Sequence, residues 1–86
     1  MNQQYPKIIR KPEVLALTGF SKSTLYSRIK EKLWPPSISL GSRAVGFVHY
    51  ECEIVINAMI AEKSPEEIKT LVQELITQRT ENKGGI

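Results

Sequence analysis

Apolar residues recur along this chain in short blocks, each with its own spacing and its own boundary signals. Lys11-Pro12-Glu13 places a proline where a helix tolerates it, in the first turn, and a carboxylate where it favours the helix dipole. Val14, Leu15 and Leu17 then supply an apolar stripe, which predicts a first helix. Gly19 ends it, because glycine takes the left-handed conformation after a last turn at little cost. Only Phe20 intervenes before Ser21, a good N-cap for a second helix.

From Ser21 to about Lys32 the apolar residues Leu25 and Ile29 stand four apart, with Leu33 near the same side. At about 100° per residue the opposite face carries Ser23, Thr24, Ser27, Lys30 and Glu31, with Tyr26 and Arg28 on its flanks. A helix that meets only water gains from long Glu and Lys side chains, whereas Ser and Thr are mediocre helix formers. The short hydroxyls predict that another molecule approaches this face closely.

Trp34-Pro35-Pro36 cannot continue a helix, since each proline lacks an amide hydrogen and restricts the residue before it. Ser37 to Leu40 alternates polar and apolar, Gly41-Ser42-Arg43 reads as a turn, and Ala44 to Val48 is short and apolar, so a small hairpin follows with Trp34 beneath it. A third helix runs from about Tyr50 to Glu62, with Ile54, Val55, Ala58, Met59 and Ala61 as a broad apolar surface. Ser64-Pro65-Glu66-Glu67 is a full start signal for a fourth, with serine as cap and a glutamate three residues on to complete a capping box. There Ile68, Leu71, Val72, Leu75 and Ile76 form one stripe, and packing against the domain or pairing with a second copy would bury it. From Thr80 onward polar residues and Gly84-Gly85 predict a frayed tail.

Composition narrows this picture. Eighty-six residues suffice for one small core, and 41 % hydrophobic with 24 % charged residues is the balance of a soluble globular chain. No apolar run approaches the roughly 18 residues a membrane span needs, and the start shows no secretory signal, so a cytoplasmic location with no membrane partner is expected. The single cysteine, Cys52, excludes an internal disulfide and reads as a small apolar filler. The charge is uneven: residues 1–43 hold eight Lys or Arg against two Glu, and residues 44–86 hold four against seven. A polyanion would dock on the first half.

Catalytic chemistry is scarce. There is one His, His49, no Asp, no cysteine pair at zinc spacing and no nucleophile elbow. Gly41 and Gly46 have the spacing of a phosphate loop, but Phe47-Val48 stands where Lys and Ser or Thr are required. The expectation is therefore a non-enzyme, without metal, cofactor or small-molecule substrate. What remains is a helix pair joined at Gly19-Phe20-Ser21, a polar and basic second helix, and a hairpin with Arg43 near its tip. Such a helix fits the major groove of double-stranded DNA, and an arginine on a hairpin tip reaches an adjacent phosphate or the minor groove.

KPEVLALTGFSKSTLYSRI, then WPPSISLGSRAVGF and an acidic residue opening another helix, resembles the AlpA family of prophage regulators over roughly residues 8 to 60. The resemblance implies a mostly α fold with a small β-hairpin wing, a winged helix-turn-helix similar to MerR and excisionase DNA-binding domains. It would cover residues 7–63, followed by an amphipathic helix over 64–80 and a flexible tail over 81–86. It implies DNA contacts from Lys22, Ser23, Thr24, Tyr26, Ser27, Arg28 and Lys30 on the recognition helix and from Ser42 and Arg43 on the wing, with Gly41 permitting the wing's turn. Glu13 matches the family's first-helix glutamate, as a cap or a tie to a basic neighbour. Lys32 stands where the family commonly has the glycine that ends the recognition helix, and Phe47 and Val55 replace common tryptophans. The implied function is transcriptional control of integrase or excision genes of a prophage or other mobile element, acting on double-stranded DNA near the nucleoid. The Pro65–Arg79 helix lies outside the resemblance, and its apolar stripe leaves open packing on the domain or a homodimer or cooperative oligomer on DNA. The alternatives are an excisionase-like factor that bends DNA and a protein-interaction module with a vestigial helix-turn-helix.

Overall fold

The computed structural model describes the backbone of residues 7–83 and the side chains of residues 7–80. Its elements are β1 (Ile8–Ile9), α1 (Lys11–Thr18), α2 (Lys22–Lys30), β2 (Ile38–Gly41), β3 (Ala44–Val48), α3 (His49–Ile60) and α4 (Pro65–Lys83).

The helix pair forms where the boundary residues put it. Glu13 accepts the Arg10 backbone N–H at 2.9 Å, closing half of a capping box whose other half an arginine, having no acceptor, does not supply. Gly19 takes φ 76° and donates its N–H to the Leu15 carbonyl at 2.7 Å. Ser21 then caps α2, its hydroxyl accepting the Thr24 N–H at 3.1 Å. At the far end α2 stops at Lys30, two residues short of the expected limit. Lys32 turns left-handed at φ 67°, donates to the Ile29 carbonyl at 3.1 Å, and lets Leu33 donate to the Arg28 carbonyl at 2.8 Å. This is the bonding pattern of a glycine-terminated helix, built here on lysine.

The predicted hairpin is present as β2 and β3, with a register shift between Ser39 and Gly41. A third strand was not evident in the sequence: β1 pairs antiparallel with β3, Ile8 opposite Val48 and Ile9 opposite Phe47, giving the order β1-β3-β2. Two residues are too few to show alternation, so only the pairing reveals the strand. Gly46 lies where the three strands crowd, and a Cβ there would stand 2.5 Å from Ile8 Cγ2 and 3.2 Å from the Ile9 carbonyl oxygen.

The core draws on every element except β2. Val14, Leu25, Trp34, Cys52 and Val55 are fully buried, and Trp34 meets the Phe20 ring edge-on, centroids 5.6 Å apart. Leu17, expected in the apolar stripe of α1, is 47 % exposed. In α4 the capping box is complete, Ser64 N–H to Glu67 Oε1 at 2.9 Å and Glu67 N–H to Ser64 Oγ at 3.2 Å, and the Ser64 backbone N–H, followed by the Ser64 side chain, draws the Glu67 carboxyl pKa down from its ordinary value. Ile68, Val72 and Leu75 are buried in the same core, with Leu71 and Ile76 packed against it. The helix continues to Lys83, past the Thr80 limit read from the sequence. Residues 84–86 of the expected tail lie outside the described residues.

Besides its apolar stripe, α4 is held by a contact that periodicity does not reveal. Glu51 on α3 is 1 % exposed, and Arg79 meets it bidentately, Nε to Oε2 at 2.8 Å and Nη2 to Oε1 at 2.6 Å. The same Nη2 donates to the Pro36 carbonyl at 2.9 Å. One guanidinium thus ties α4 to α3 and to the segment entering the wing.

Candidate nucleic-acid interface

Leu25 anchors α2 from its inner side, and the helical period does the rest. With Leu25 fully buried, Lys22, Ser23, Thr24, Tyr26, Ser27 and Lys30 are all exposed. Thr24 is the most constrained of the hydroxyls: its N–H and its Oγ1 both engage the Ser21 hydroxyl, the latter at 3.0 Å. Ser27 and Lys30 make no side-chain hydrogen bond to another described residue, so both groups are available to a ligand. The last turn of α2 carries basic residues, which complement the partial negative charge of the helix end.

Tyr26 is 51 % exposed, and its hydroxyl is met by the Lys11 ammonium. The ammonium stands 4.7 Å from the ring centroid. Since it also touches the hydroxyl, it lies at the ring's edge, a hydrogen bond rather than a cation over the π face. Lys11 was absent from the sequence-derived set. Fifteen positions separate the pair, and only the turn at Gly19 brings them together.

Arg28 departs from its expected place on the outer flank. Its guanidinium lies 5.4 Å from the Phe20 ring centroid, with Nη2 at 3.5 Å from the Leu33 carbonyl oxygen and 3.6 Å from Met59 Sδ. Its Nε is buried without a partner. The signal was in the helical wheel, where Arg28 sits about 60° from Leu25, nearer the core than the outer face. A charged side chain with a long apolar stem readily packs from such a position.

On the wing, Ser42 and Arg43 are exposed at the tip, between Gly41 (φ 131°) and Ala44. Arg43 itself is left-handed at φ 65°. Neither side chain is hydrogen-bonded to a described residue.

Two further chemistry-bearing groups among the described residues are His49 and Cys52. His49 on α3 faces Glu53 one turn on at 3.8 Å and lines a cavity with Ile9 and the α1 residues Glu13, Ala16 and Leu17. Burial, and then the neighbouring Glu51 charge, push the Cys52 thiol up to about 12, so it stays protonated at neutral pH and is a poor nucleophile. Among the described residues no three His, Cys, Asp or Glu side chains form a metal-binding group, and no helix is long and apolar enough to cross a membrane.

A helix pair with a three-residue turn, an outward hydroxyl and cation face on the second helix, and a strand hairpin with an arginine tip together define a winged helix-turn-helix. Residues 7–57 match the family described as prophage CP4-57 regulatory protein (AlpA), and the chain belongs to that family of regulatory proteins. A curated relative, an uncharacterized protein ORF88 of Enterobacteria phage P4, is 42 % identical over 45 residues, covering 52 % of this chain and 51 % of the relative. The chain thus spans about half the length of the curated relative it matches. No solved structure matches it.

Proposed function

We propose that this chain is a sequence-specific DNA-binding regulator of a prophage or other mobile element, acting on integrase or excision genes. The observation that carries the reading is the outer face of α2, where exposed Ser23, Ser27 and Lys30 stand opposite fully buried Leu25. Short hydroxyls let the helix backbone approach the floor of the major groove, and Tyr26 extends beyond them toward base edges. Lys22 and Lys30 neutralise phosphates beside the groove, and Ser42 and Arg43 carry the wing to an adjacent phosphate or the minor groove. Thr24 contributes to this face while it stiffens the cap. Arg28 supports the interface from behind, holding the last turn of α2 on Phe20 and Met59.

Phosphate neutralisation makes affinity fall with salt, which an apolar protein interface would not do. The test is capture of fragmented host-genome DNA by the purified protein near physiological salt, with Ser27→Glu/Arg43→Ala as the control. Both positions are exposed, so the control should keep the melting temperature of the parent. Enrichment of a few sites beside an integrase gene, lost in the control, is the expected result. Equal recovery by parent and control would overturn the reading.

A further inference from the structure

Among the described residues, three that are not glycine adopt positive φ: Lys32 at 67°, Arg43 at 65° and Glu62 at 60°. Left-handed backbone disfavours an L side chain because Cβ crowds a carbonyl oxygen, and glycine, or less often asparagine, is the usual choice there. Lys32 and Glu62 end their helices identically. Glu62 donates to the Met59 carbonyl at 2.9 Å, and Lys63 to the Ala58 carbonyl at 3.0 Å, repeating the pair of bonds at Lys32 and Leu33. The backbone demand is the same at both positions and the charge is opposite.

Among the described residues no side-chain partner accounts for the lysine. Lys32 is exposed, and among the described residues the Lys or Arg that meets a carboxylate is Arg79, with Glu51. Its location is more informative. Arg28 is folded inward, so Lys30 and Lys32 are the cations presented to solvent where α2 ends. Lys22 opens the same helix. Eight residues of rise separate Lys22 from Lys30, about 12 Å along the axis, and Lys32 stands just past that end, against a major groove about 12 Å wide. A helix seated in that groove brings its two ends to phosphates on its two walls.

We propose that Lys32 is a phosphate contact of the DNA interface, a cation that pairs with Lys22 across the groove and fixes the depth and register of α2. This rests on the DNA-binding reading above. A phosphate contact carries no sequence information, so the target site is not needed to test it.

The experiment titrates full-length protein onto a mixed-sequence duplex of about 30 base pairs at several salt concentrations. Parent, Lys32→Gly, Lys32→Asn, Lys32→Arg and Glu62→Gly are compared. Lys32→Gly and Lys32→Asn should each bind about 3- to 10-fold more weakly near physiological salt, and the slope of log affinity against log salt should shrink by about 0.9. Lys32→Arg should keep both values. Glu62→Gly should keep the affinity, which separates lost charge from glycine flexibility at a helix end. The melting temperature of Lys32→Gly should hold or rise by a few degrees, about 4 °C at most, since glycine relieves the backbone while the helix end loses a cation.

Salt-sensitive binding by the parent, with Lys32→Gly and Lys32→Asn unchanged in affinity and slope, would overturn the proposal and leave the DNA-binding reading standing. A parent that binds no duplex at low salt would overturn both.

Discussion

Arg28 rests its guanidinium on the ring of Phe20, and the consequence of removing it is first a matter of packing. Arg28→Ala strips the stem from the seam between α2 and α3 and should destabilise the domain by about 1–2 kcal/mol. Arg28→Met keeps the stem and removes the buried, unpartnered Nε, so it should lose much less. Urea unfolding of the two variants checks this, and equal losses would show that the charge itself is what matters. Cys52 supplies a second residue-scale test. Its thiol is pushed up to about 12 in the fold from an ordinary value of 9.0, so the thiolate is favoured by unfolding. The contribution is fully present below pH 9.0 and is lost as pH rises toward about 12. Between these limits the unfolding free energy of the parent should fall more steeply than that of Cys52→Ala. Parallel pH profiles would mean that this thiol does not report on the fold.

Among the elements, β3 is the one that local sequence describes least well. It carries pairing on both edges, and Gly46 is the point where Ile8, Leu40 and the Ile9 backbone come too close for a side chain. Gly46→Ala should cost about 1–2 kcal/mol, because Ile8 can shift and the carbonyl cannot. A thermal melt unchanged from the parent would show that β1 yields at no cost. The helices were far more legible: Gly19, Ser21 and the Ser64 to Glu67 box act within a single turn, and each made the bond its residue type suggested. Two boundaries escaped this logic. Lysine at position 32 gives no left-handed signal, so the end of α2 was misplaced by two residues. Nothing near Thr80 marks a continued helix either, since the anchor that precedes it, Arg79, binds residues on other elements.

At the scale of the whole molecule, the family match ends at residue 57, yet the fold does not. Glu51 lies within the matched region, buried, and its partner Arg79 lies beyond it. Arg79→Ala leaves a carboxylate uncompensated beneath α4 and should destabilise the domain by about 3 kcal/mol. Glu51→Leu/Arg79→Met removes both charges and should recover much of that loss, a pattern that urea unfolding reads directly. If the double variant is as unstable as the single one, the ion pair is not what Arg79 contributes. The amino-acid sequence by itself determined the four helices and the hairpin, because caps, turns and periodic stripes depend on residues within a turn or two of each other. It also determined which face of α2 is polar, since the 3.6-residue period follows from helix geometry once Leu25 and Ile29 are set inward. Tertiary structure decided the rest. Whether Arg28 points outward depended on Phe20 and Met59, whether Tyr26 meets a cation depended on Lys11, and the partner of Glu51 stood 28 positions away. These are contacts between distant positions, and local preference carries no term for them; the same holds for β1, a strand only because β3 lies beside it.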